Sequence, residues 1–147
     1  MTSAEPFDPA TLTWHRLGDF EHFVFAMLSV DRERRLVDAI LKFDGPEAIF
    51  LHRHLAHTNT FVVQGEHVIH EPDGQVRERR AVGSFTRSPA DPAPHRESGG
   101  ENGAVVLYHL RGTQDTMFEI LNDALQVVGT LGVQDFHAAL EAQGGAT

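Results

Sequence analysis

His52 and His54 are separated by a single residue, and a third histidine, His95, closes the proline-ordered segment PADPAPH. In a strand, residues two apart face the same way, so His52 and His54 project side by side. A ring nitrogen withdrawn from water needs a partner, and a divalent metal supplies one to several imidazoles at once. With no cysteine in the chain, disulfides, thiolate sites and thiol nucleophiles are excluded, so any metal must be held by nitrogen and oxygen. The competing reading is that both rings face solvent and bind nothing. Context favours a site: the stretch FLHRHLAHTNTFVVQGEHVIHE, Phe50 to Glu71, carries five of the ten histidines and no lysine, in a run that otherwise reads as buried strand. There is no HExxH, no GxSxG and no phosphate-cradling glycine loop.

The remaining histidines have weaker claims. His57 lies five residues from His52, which in a continuous strand places it on the opposite face, at a rim. His67 and His70 alternate on their strand, and of the neighbours His70 and Glu71 only one points inward; Glu71 is preferred. His15, His22, His109 and His137 have no ligand spacing and read as surface or locally bonded groups. Phe61, Val63, Phe85 and Tyr108 are candidates for an apolar pocket wall, although core packing explains strand aromatics more often.

The elements that must position these groups are mostly strands. HFVFAMLSVD, RLVDAILKFD, NTFVVQGEHVIHE, AVGSFTRS, AVVLYHLRG and TMFEILND are rich in β-branched and aromatic residues, separated by turn signals such as DRER, DGPE and PDG. Hairpin turns are predicted at Gln64-Gly65 and at Asn122-Asp123, where residues tolerant of positive φ stand. The segment Ser88 to Gly103, rich in proline and glycine, is predicted to be a long loop at a barrel mouth. Only the C-terminal stretch VQDFHAALEAQ is helical in pattern, with Val133, Phe136 and Leu140 spaced to pack on the β-structure.

Gly45, His52, His54 and Gly65 resemble the first motif of the cupins, which runs glycine, spacer, HxH, a glutamate four residues on, and a further glycine. Gly83, Pro89 and His95 resemble the second, with one extra residue between proline and histidine and Asp91 where a glycine is usual. LHRH, FVVQGE, the GSF segment and the terminal LQVVGTLGVQDFHAALE are similar to small cupins related to acetylacetone dioxygenase and dihydroxyacetophenone dioxygenase, from about Trp14 onward. The resemblance implies an all-β jelly-roll barrel, a double-stranded β-helix with a short C-terminal helix, in one domain over residues 1–147. It also implies a divalent metal held by His52, His54 and His95, iron(II) being favoured over zinc or another ion. The chemistry implied is cleavage of a carbon-carbon bond in a β-diketone or hydroxyketone by dioxygen. Thr58 stands where the motif glutamate belongs. Either three histidines suffice, or Glu71 joins as a metal ligand or as a catalytic group polarising water. The rival reading is a cupin sensor or binding module in which zinc or a small molecule is held without turnover.

Composition narrows the partners. A chain of 147 residues is about one domain and buries roughly 70% of its unfolded surface, so it needs no metal merely to fold. The formal net charge of -9 argues against nucleic acid, and the one basic cluster, Arg77, Arg79 and Arg80, reads as the solvated side of a strand. No apolar run is long enough for a bilayer and no leader is recognisable, so a cytoplasmic protein acting on a small-molecule substrate, with no membrane partner, is expected. By analogy with cupins a homodimer is expected, with Phe23 and Phe25 as a candidate contact.

Overall fold

The computed structural model describes Ala4 and residues 8–144. After a short 3-10 turn at Pro9–Thr11, the strands are β1 Phe23–Asp31, β2 Leu36–Phe43, β3 Leu51–His54, β4 His57–His70, β5 Val76–Ala81, β6 Phe85–Ser88, β7 Asp91–Arg111, β8 Thr116–Leu121 and β9 Val127–Gly132, followed by helix α1 Val133–Gly144. All pairings are antiparallel. One sheet runs β1, β2, β7, β4, with β5 and β6 on the far side of β4; the other runs β7, β3, β8, β9. Strand β7 belongs to both, its first half against β3 and its second half against β2, so it bends the two sheets into one jelly roll. No described helix is long and apolar enough to cross a membrane.

Two expectations about elements are corrected. Gln64 and Gly65 do not reverse the chain: β4 runs through them, because β7 offers it an unbroken ladder on one side. Gly65, at φ 73°, instead marks a bulge where the register with β7 shifts. The bulge changes which residues face inward, from Thr58, Thr60 and Val62 before it to His67 and Ile69 after it. The second correction concerns residues 88–103. Most of that stretch is the first half of β7 rather than a loop, with Arg96, Glu97, Ser98 and Gly99 paired to β4 and His95 paired to His52. Its prolines are tolerated at the strand's beginning, and its glycines at a bulge before Ala104. The turn at Asn122 does form. Asn122 Oδ1 accepts from the Ala124 and Gln126 amides, and the positive φ falls on Leu125.

The core lies between the sheets and beneath α1, around Met27, Val37, Phe43, Val106, Leu110 and Met117. As expected, Val133 and Phe136 of α1 are buried against it, and Leu140 packs beside them. Phe23 is also buried, and Phe25 is half-buried and lines a cavity. Strand β1 is an edge strand, covered at two points. The His15 backbone pairs with Phe25, and the Gln143 side chain on α1 accepts from Met27 N–H and donates to Met27 C=O, both at 2.8 Å. His15 Nε2 donates to the same Gln143 oxygen at 3.0 Å, tying the two covers together.

Candidate metal centre

Strand alternation places His52 and His54 on the inner face of β3, with Arg53 pointing out to an ion pair with Glu119. The pairing His52 with His95 brings β7 alongside, and His95 and Glu97, again two apart, face the same way. The four side chains are buried, and one ligand atom from each lies within 4.8 Å of the others, so the group could hold a divalent metal ion. Glu97 Oε2 lies 2.7 Å from His52 Nε2, 3.3 Å from His95 Nε2 and 3.7 Å from His54 Nε2; His54 and His95 Nε2 are 3.2 Å apart.

The hydrogen bonds behind these atoms show that they fit a cation. His52 Nδ1 lies 3.0 Å from the Phe50 carbonyl, which only accepts, so Nδ1 carries a proton and Nε2 is the nitrogen turned toward Glu97. At 2.7 Å that nitrogen and the carboxylate oxygen need a proton or a metal ion shared between them. His54 follows the same logic through Thr58. The Thr58 hydroxyl donates to the Ala56 carbonyl and so accepts from His54 Nδ1, 2.9 Å away, leaving Nε2 bare in the site. Thr58, in place of the motif glutamate, thus orients a ring rather than ligating. Burial pushes His54 down to about 4, despite the opposing pull of Glu97, which keeps the ring in the neutral form a metal requires.

Glu97 is the group the sequence reading missed. Burial raises the pKa of its carboxyl, but the four imidazoles that face it, His52, His54, His67 and His95, outweigh burial and hold it well below the usual carboxylate range. Its second oxygen, Oε1, accepts from His67 Nε2 at 2.7 Å and from the Tyr108 hydroxyl. Burial, then the charge of Glu97, keep the Tyr108 phenol well above its ordinary pKa, so it remains a donor. The available signal was the HxE spacing of His95 and Glu97, the same period as HxH, hidden once the segment was taken for a loop.

Glu71 is the corresponding correction. It sits at the end of β4, where the turn to β5 begins, and both its oxygens are taken by Arg77 Nε and Nη2. That guanidinium holds its carboxyl below the usual range, and the group stays outside the cluster. Its neighbour His70 is buried on the face of β4 opposite His67, bonded to Ser98 Oγ at 2.8 Å. His57 is half-buried on the outer face, as its spacing implies. Arg77, Arg79 and Arg80 all form ion pairs, with Glu71, Glu66 and Glu78.

Two spaces meet at the cluster. On the His52 side, a cavity of about 90 Å³ is walled by Phe23, Ile49, Phe50, Leu110, Phe118 and Phe136. On the other, a polar chamber of about 220 Å³ is bounded by His54, His95, Thr60, Arg77, Glu78 and Arg80. Glu97 and Tyr108 border both. Of the expected wall residues only Tyr108 serves. Phe61 and Phe85 are 41% and 58% exposed, pointing away from the interior.

A jelly roll with three histidines and a glutamate in its interior is the cupin fold, and solved structures place the chain there. An RmlC-like cupin from Ralstonia eutropha superposes with a TM-score of 0.74 at 13% identity, over 99% of this chain and 89% of that one. An acetylacetone dioxygenase from Acinetobacter johnsonii gives 0.62 at 12%, over 97% and 95%. A DMSP lyase from Ruegeria pomeroyi gives 0.57 at 19%, over 74% and 60%. No protein-family model and no curated protein sequence matches the chain. The likeness is one of fold, shared by proteins of different activity.

Proposed function

We propose that this cupin is a metal-dependent dioxygenase, with iron(II) held by His52, His54, His95 and Glu97, cleaving a carbon-carbon bond of a β-diketone or hydroxyketone. The observation that carries the reading is the convergence of three imidazole nitrogens and one carboxylate oxygen beside an apolar cavity. Such an ion would supply Lewis acidity toward the substrate enolate, two coordination positions beyond its four protein ligands, and electrons for dioxygen chemistry. The protein's own groups supply the rest. Glu97 cancels one unit of a divalent charge and leaves the site attractive to a mono-anionic enolate. His67 and Tyr108 fix the carboxylate, the apolar cavity takes the hydrocarbon end of the substrate, and the chamber beside Thr60 admits its polar end. The likeness to an acetylacetone dioxygenase supports this choice among cupin activities.

For a β-diketone the balance is one substrate and one dioxygen giving one carboxylic acid and one 2-oxoaldehyde, with both oxygen atoms retained in the products. Iron-loaded protein offered a panel of β-diketones and hydroxyaryl ketones should consume oxygen and release carboxylate one for one. The His54→Ala variant and zinc-loaded protein should not. Absence of uptake across the panel, with zinc retained through dialysis, would instead identify a binding module.

A further inference from the structure

The outer face of the larger sheet carries a second constellation, remote in character from the metal centre. A groove of about 500 Å³ is bounded by His57, Asn59, Arg87, His109 and Arg111, with Ser88 and Pro89 at one end. The register explains the grouping. Arg87, Asn59 and His109 are direct cross-strand partners on β6, β4 and β7, and His57 with Arg111 forms the next row on the same face. Neighbouring strands lie about 4.8 Å apart and successive rows on one face about 7 Å apart, so these side chains reach a common point.

Most of their hydrogen-bonding capacity is unspent. Arg34, Arg35, Arg53, Arg79, Arg80 and Arg96 are all matched to carboxylates. Arg87 and Arg111, with His57 and Asn59, have no partner among the described residues. His109 is already committed, its Nδ1–H donating to Asp38 at 2.6 Å, so it shapes the groove rather than adding a donor. Two unmatched guanidiniums on one face of a chain with net charge -9 call for an anion. The two guanidinium forks, the Asn59 amide and the His57 imidazole offer more donors than the two oxygens of a carboxylate accept, and they suit the three terminal oxygens of a phosphate monoester. The next row along the same strands is apolar: Phe85 faces Phe61, which faces Leu107, and both phenyl rings are open to solvent. A nucleic-acid backbone would need a longer cationic track than two arginines.

We propose that this groove is a binding site for a small phosphate monoester whose phosphate sits between Arg87 and Arg111 and whose apolar ring or chain lies on Phe61 and Phe85. The probes are inorganic phosphate and phenyl phosphate, titrated calorimetrically at low ionic strength into the full chain. Both should saturate at one site, phenyl phosphate more tightly by about 5-fold or more, since ring stacking adds to the charge contacts. The Arg87→Gln/Arg111→Gln variant should weaken both by about 10-fold or more. Phe61→Ser should remove only the advantage of the phenyl group, and Glu97→Gln should change neither. All these positions except Glu97 are on the surface, so unchanged thermal midpoints will show that the variants fold. The proposal is overturned by absence of saturation, by wild-type binding in the double arginine variant, by loss of binding in Glu97→Gln, which would put the phosphate on the metal centre, or by an oligonucleotide binding more tightly than phenyl phosphate.

Discussion

At the scale of single residues, the centre depends on which atoms are already committed elsewhere. Phe50 and Thr58 settle which nitrogen of His52 and His54 faces inward, and His67 and Tyr108 hold Glu97 by the oxygen the cluster does not use. Glu97→Gln should therefore lower divalent-metal affinity by at least about 10-fold to 100-fold, the range seen even for groups one shell out, whereas Glu71→Gln should leave it unchanged. Glu71 loses only a half-exposed ion pair with Arg77. Equilibrium dialysis of the two variants separates them, and equal losses would refute the assignment of Glu97. The metal-free protein should also be sensitive to acid. His54 titrates near 6.5 when unfolded and at about 4 when buried, so the unfolded chain takes up the proton first. Stability is then full above about pH 6.5 and falls by roughly 3 kcal/mol as pH drops toward 4. The lowered pKa of Glu97 adds a further loss only as pH falls through its own still lower value. Urea midpoints of chelator-treated protein between pH 8 and 4 measure this; a flat profile contradicts it. His52 and His54 were legible because period-two spacing is a property of the chain itself, and His95 because it closes the proline segment that resembles the second cupin motif. Glu97 obeys the same period, but prolines and glycines around it mask the strand that makes the period meaningful.

Elements show why local signals misled. A glycine between two apolar runs serves a hairpin or a bulge equally well, and the choice is made by a distant partner, β7, which the residues near Gly65 do not reveal. The consequence for the centre is large, because the bulge turns His67 toward Glu97. Gly65 has no room for substitution: at φ 73° a Cβ would lie 2.2 Å from the Gly103 carbonyl oxygen. Gly65→Ala should cost upwards of about 1 to 3 kcal/mol through backbone strain, and should weaken metal binding along with stability by shifting His67. Chemical denaturation and metal titration on the same sample test both. A loss of stability with unchanged metal affinity would show that the bulge does not position the centre. The strands with clean apolar patterning, β1, β2 and β8, and the helix α1 with its three-to-four spacing, were legible in outline. The first half of β7 was not, since its ladder is defined by partners on β3 and β4 rather than by its own composition.

For the whole molecule, the jelly roll does two things at once: it closes a buried polar cluster between an apolar cavity and a polar chamber, and it leaves β1 as the last strand of its sheet. The Gln143 amide answers Met27 N–H and C=O as a neighbouring strand would. Helix α1 therefore acts as a stopper against strand addition by other chains as well as a lid on the core, beside the His15–Phe25 pairing that covers the same edge. Gln143→Ala should cost about 1 to 3 kcal/mol for the two stranded backbone groups. More tellingly, it should make the protein assemble in a concentration-dependent way, visible in light scattering under conditions where the wild type shows no such growth. Resistance to self-assembly in this fold would then rest in part on a single amide in the last turn of the helix, a residue outside the metal cluster.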